Sequence, residues 1–183
     1  MESTAVQKIA GVLKILVNIT FACNLAALPL VPPLVYFRDN PFHLAVKQAL
    51  SGGLLSYWTE GLSKVWSAPV SAMLSLFLLF SGVCTAVILR QGRRVLDTIL
   101  RGEPFSMENA VSLRRAALCA FCISIAALGR VVLSIGVYRS AAPLLTYNAL
   151  FIPIFAMAGL LCLVMSALFR QAAEIKAEND LTI

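Results

Sequence analysis

Arg90–Arg115 reads RQGRRVLDTILRGEPFSMENAVSLRR, and it carries six of the fifteen Lys and Arg residues of the chain. Long apolar blocks flank it on both sides. Within it Val95, Leu96, Ile99 and Leu100 gather on one helical face, while Arg93, Asp97 and Arg101 stand four apart on another. Gly102-Glu103-Pro104 ends that helix. Ser106 is placed to cap the next one, with Glu108 in its first turn, where negative charge suits the helix dipole. A basic helical segment between two apolar hairpins reads as the cytoplasmic connector of a membrane protein.

The rest of the composition agrees. The chain has 183 residues, 60% hydrophobic and 13% charged, with a mean hydropathy of +0.85. Soluble domains run nearer half apolar and a quarter charged. The expected fold is therefore all-α: one integral membrane domain over residues 1–183, with four transmembrane helices as two hairpins. The spans fall at about 15–37, 69–89, 116–138 and 144–169, the connector at 90–115 and a cytoplasmic tail at 170–183. The first apolar run is too long for a signal-peptide core and lacks a clear cleavage site.

Pro29, Pro32 and Pro33 close the first span, and each removes a backbone donor, so its outer third is expected to kink or unwind. Asn18 and Asn24 are the polar residues inside it. The loop 38–64 has mixed charge, with Tyr57, Trp58 and Trp66 suited to an interfacial belt. Phe42–Leu50 would lie flat on the membrane as a short amphipathic helix ended by Gly52-Gly53. The helix opened by Ser106 should run from Met107 to about Tyr138. At about 1.5 Å per residue that is roughly 48 Å, against a hydrocarbon core of about 30 Å, so two or three turns stand in the cytoplasm. RQAAEIKAE should extend the fourth helix to about Glu178.

Positive charge orients the spans. The segments 1–14, 90–115 and 170–183 hold ten Lys and Arg residues, against Arg38, Lys47, Lys64 and Arg139 in the opposite loops. Both termini are thus expected inside. The net charge of +6 flanks the spans, where arginines snorkel to lipid headgroups, and so does not indicate direct nucleic-acid binding.

The chemistry-bearing residues are sparse. All five cysteines lie in apolar runs and read as packing residues. Cys119-x-x-Cys122 has redox or metal spacing, without a second pair or a nearby histidine. His43 is the sole histidine, and it sits in the outer loop. No nucleophile has a base within sequence reach, and no phosphate loop appears. No Asp or Glu lies inside a span, so a carboxylate proton relay is unsupported. These patterns predict neither an enzyme, a cofactor nor a metal site.

Two constellations stand out. Arg130, in ALGRVVLSI, is expected near mid-bilayer, level with Ile152-Pro153 if spans three and four turn near Ala141. A charge there costs about 2.5–3.5 kcal/mol on insertion scales. Pro153 would free the carbonyl of Ala149, which the guanidinium would satisfy, with Asn148 and Asn24 at similar depth. A structural lock competes with an anionic-ligand or pore role. At the cytoplasmic end Arg114 and Glu174 lean toward each other. Either they form a surface ion pair of about 0–1 kcal/mol, or they belong to a docking surface with Glu178, Asp180, Leu181 and Ile183.

The final string, FRQAAEIKAENDLTI, closely resembles the C-terminal signature of the YoaS-like bacterial membrane family. Gly102-Glu103-Pro104-Phe105, Asn109 and Leu113-Arg114 are also similar. The resemblance implies a four-span protein of the bacterial inner membrane, without a known chemistry. Members are often encoded beside a small helix-turn-helix regulator of the Cro type, which implies a soluble regulatory partner by association. The expectation is an inner-membrane signalling or regulatory protein, embedded in the lipid bilayer, whose connector and tail dock such a regulator. The alternative is a small oligomeric transporter or channel-like protein.

Overall fold

The computed structural model describes residues 5–36, 58–67 and 69–181, and these are helices joined by short turns. His43, the stretch 42–50, Gly52-Gly53, Arg38, Lys47, Tyr57 and Ile183 lie outside the described residues, as do the side chains of Asp180 and Leu181. Helix α1 covers Ala5–Ala27, followed by a 3-10 turn at Leu28–Leu30 and α2 at Val31–Tyr36. A helical segment at 58–65 precedes α3 (Pro69–Leu100), α4 (Met107–Tyr138) and α5 (Phe151–Leu181). Four stretches, Val6–Val35, Pro69–Leu100, Met107–Tyr138 and Asn148–Asn179, are long and apolar enough to cross a membrane.

The first span breaks where its prolines fall. Pro33 has no N–H, so the carbonyl of Pro29 has no helical donor four residues on. Trp58 supplies one, its Nε1–H donating to Pro29 O at 2.7 Å. The Pro33 side chain is buried against Gly61, where a Cβ would come within 2.6 Å of it. Glycine is what lets the 58–65 segment lie against the break.

The connector turn is closed by backbone geometry. Gly102 adopts φ 83°, and the N–H groups of Gly102 and Glu103 return to the carbonyls of Ile99 and Thr98 at 3.1 and 3.0 Å. That double bond pattern ends α3 on a left-handed residue. Ser106, extended at φ −122° and ψ 149°, opens α4 by accepting from the Asn109 N–H at 3.3 Å. Asn109 is wholly buried; its Nδ2 donates to Pro104 O at 2.7 Å, and its Oδ1 accepts from Thr98 Oγ1 at 2.8 Å.

The fourth span starts later than its hydropathy suggests. Two 3-10 turns, Ala142–Leu145 and Tyr147–Leu150, precede α5, so the helix begins at Phe151 rather than near Leu144. A helix running through Pro153 from Leu144 would set the proline ring against the carbonyl of Ala149. Beginning at Phe151 puts Pro153 in the first turn, where no N–H is needed.

The helices pack in chain order, α1 on α3, α3 on α4 and α4 on α5, as an antiparallel row. Helix α4, one of the two inner helices, buries Ala110, Ala116, Ala117, Ala120, Ile123, Ser124, Ala127 and Val131. Small residues on its faces let both neighbours approach closely. Ser124 Oγ donates to Ile152 O at 2.8 Å near one end, and Ser166 Oγ donates to Ala110 O at 2.7 Å near the other. On α5, Ile154, Met157, Leu160, Leu161, Val164 and Leu168 are all exposed. In water such a stripe would be a large sticky patch; in a bilayer it is the lipid-facing side.

Candidate functional site

The end of the row opposite the connector, its loop end, holds a cavity of about 470 Å³. It lies between the start of α3 (Val70, Met73, Leu74), the last turns of α4 (Arg130, Val131, Ser134, Tyr138) and the connecting turns (Ser140, Ala142, Pro143, Thr146, Asn148). Arg130, Ser134 and Tyr138 reach it together because they sit four apart on one helical face. The Arg130 guanidinium carbon lies 4.9 Å from the centroid of the Phe77 ring, within cation–π range. Phe77 is buried and meets Phe151 edge-on, ring centroids 6.1 Å apart, so the cation rests on an aromatic pair shared by α3 and α5. Ser134 Oγ donates to the Arg130 carbonyl at 2.8 Å.

Of the residues expected around Arg130, the structure brings only Asn148 to the same cavity. Ser124, not Arg130, is the residue of α4 bonded at the level of Ile152. Arg130 lies six residues further along α4, about 9 Å toward the loop end, because the connecting turns are longer than a tight hairpin near Ala141. Pro153 is exposed in the first turn of α5, and the carbonyls of Asn148 and Ala149 accept from the Phe151 N–H. The expected lock of Arg130 onto the Ala149 carbonyl is therefore replaced by the Phe77 platform. Asn24 belongs to α1, which packs on α3; its Oδ1 is buried without a hydrogen-bond partner.

The connector end is tied across all the long helices. Lys14 of α1 pairs with Asp97 of α3 at 2.6 Å, so Asp97 serves the neighbouring helix rather than Arg93 or Arg101 of its own. Arg93 instead lies 5.6 Å from the Phe21 ring centroid. Phe105 packs on Phe169 with centroids 5.7 Å apart. Glu174 pairs with Arg170 one turn back at 2.9 Å, in place of the expected meeting with Arg114, since an i,i+4 partner on the same helix needs no second element. Arg90, Arg101, Arg114 and Arg115 are exposed, as are Glu174 and Glu178. Phe105, at 52% exposed, and Ile175, at 60%, are apolar members of this surface that the sequence reading passed over. The four-residue spacing of Arg130, Ser134 and Tyr138 was the available signal for the cavity.

Four membrane-length helices, a mostly apolar cavity at one end and a basic helical platform at the other define a small all-α membrane protein. The chain belongs to DUF2975, a family of proteins of unknown function, whose profile matches residues 58–183. That match begins at the tryptophan that braces the first span and covers α3, α4 and α5. No curated protein and no solved structure matches the chain.

Proposed function

We propose that this is a signalling or regulatory protein of the bacterial inner membrane, with its termini and connector in the cytoplasm, that docks a soluble regulator on its connector end. The observation that carries this reading is the far end of α5. The helix continues past Phe169 to Leu181, about 18 Å beyond its apolar part, and residues 174–179 are all exposed. A charged helix this exposed buries little surface against the rest of the fold, and exposed apolar residues such as Ile175 beside charge suit a partner surface. The exposed arginines of the connector and the acids of the tail would orient that partner more than tighten it. The likeness of the tail to the YoaS-like signature points to a helix-turn-helix regulator as the partner.

Deleting Asn179–Ile183 tests this directly. Membrane insertion and thermal stability should stay nearly unchanged while pull-down of the regulator is lost. Unfolding of the truncated protein, or an undiminished pull-down, would overturn the docking role. The alternative, a small oligomeric transporter, draws support from the cavity alone. Solute flux in proteoliposomes, absent when Arg130 is replaced, would favour it.

A further inference from the structure

We propose that the loop-end cavity binds an amphipathic carboxylate, its carboxylate on Arg130 and its apolar body between α3 and α4. At about 470 Å³ the space falls in the range of small-ligand sites, roughly 300–1,000 Å³. Arg130 is the one charged side chain among the described residues lining it, so the cavity favours an anion. A single guanidinium matches a single carboxylate in bidentate fashion. Phosphate carries up to twice that charge and would call for further cations, which the described residues of the lining do not offer.

The neutral polar groups are hydroxyls and an amide: Ser134 beside the arginine, with Thr146 and Asn148 on the connecting turns. The Asn148 amide can donate to a carboxylate oxygen, whereas the hydroxyl protons of Ser134 and Thr146 already go to the carbonyls of Arg130 and Pro143; none of the three can neutralise a second charge. Val70 and Leu74 form the apolar wall of α3. The Phe77 ring centroid lies 4.9 Å from the guanidinium carbon, so on that side the cation borders an apolar ring in place of water, which strengthens an ion pair made there. Val70 stands second in α3 and Phe77 ninth, so the arginine level lies about 12 Å below the helix ends. A ligand would thus enter from the loop end, acid first, with its apolar part in reach of the bilayer.

The same chemistry comes from a soluble acid or from a fatty acid of the membrane. Octanoate and oleate separate these sources, with octanol as the uncharged control, all read on the full chain in phosphatidylcholine nanodiscs without any partner protein. Octanoate should raise the thermal unfolding midpoint saturably and octanol should not. Arg130→Gln should weaken octanoate by about tenfold or more, the loss of one charge-assisted pair of at least about 1.4 kcal/mol. Ala142→Trp, at an exposed position on the cavity mouth, should weaken octanoate while leaving the unliganded midpoint unchanged. That variant decides the matter if Arg130→Gln fails to fold. Oleate competing with octanoate marks a membrane-derived ligand, and octanoate binding without such competition marks a soluble one. Octanol matching octanoate, or octanoate binding undiminished in the folded Arg130→Gln protein or in Ala142→Trp, would overturn the site. Because no partner protein takes part, failure here leaves the docking role untouched, and failure of docking leaves this site untouched.

Discussion

Trp58 and Asn109 each serve backbone groups that no helix can satisfy. The indole N–H of Trp58 takes the Pro29 carbonyl that Pro33 leaves without a donor. Trp58→Phe keeps the ring and removes the donor, and should lower stability by about 1–3 kcal/mol. Thermal unfolding in detergent measures this, with Trp66→Phe, at a residue 48% exposed, as a control that should hardly move. Asn109 closes the connector turn through Pro104 and Thr98 while buried. Asn109→Ala leaves the Pro104 carbonyl without its donor, while Thr98 Oγ1 keeps its bond to the Val95 carbonyl, and should cost about 2 kcal/mol, more than the roughly 1 kcal/mol expected for its capping neighbour in Ser106→Ala. Equal losses in the two variants would mean that the side-chain bridge contributes nothing beyond the cap.

Among the elements, α4 and α5 are held in register by two serine hydroxyls near opposite ends of their contact. Hydrogen bonds between membrane helices average about 0.6 kcal/mol. Ser124→Ala and Ser166→Ala should therefore cost about that much each and add in the double variant, being too far apart to couple. Gly159 is less forgiving, since a Cβ there would sit 3.0 Å from the Phe121 ring. Gly159→Leu should part the two helices, read as a lower unfolding midpoint than the double serine variant shows. The ends of α4 were legible in the sequence because Ser106, Glu108 and the Gly102-Glu103-Pro104 turn each have one local meaning. The start of α5 was not: a proline inside a span reads alike whether it kinks a helix or sits in its first turn. That ambiguity displaced Arg130 by about 9 Å and hid the cavity, whose roof is made by the connecting turns. Trp58 meeting Pro29 was equally hidden, because a contact across 29 residues leaves no periodic trace.

On the scale of the whole molecule, the charge count makes a topological prediction. Reporter fusions after Gly102 and Asn179 should report the cytoplasm, and one after Ser140 the opposite side. An external signal at Gly102 would reverse the molecule and place the cavity inside the cell. The row of helices has a consequence of its own for biogenesis. Chains are made from the N-terminus, and their units tend to form in that order. Here α3 docks on α1, α4 on α3 and α5 on α4, so each helix leaving the ribosome meets a partner already in the bilayer. Assembly can keep pace with translation, with no early helix waiting exposed for the last one to arrive.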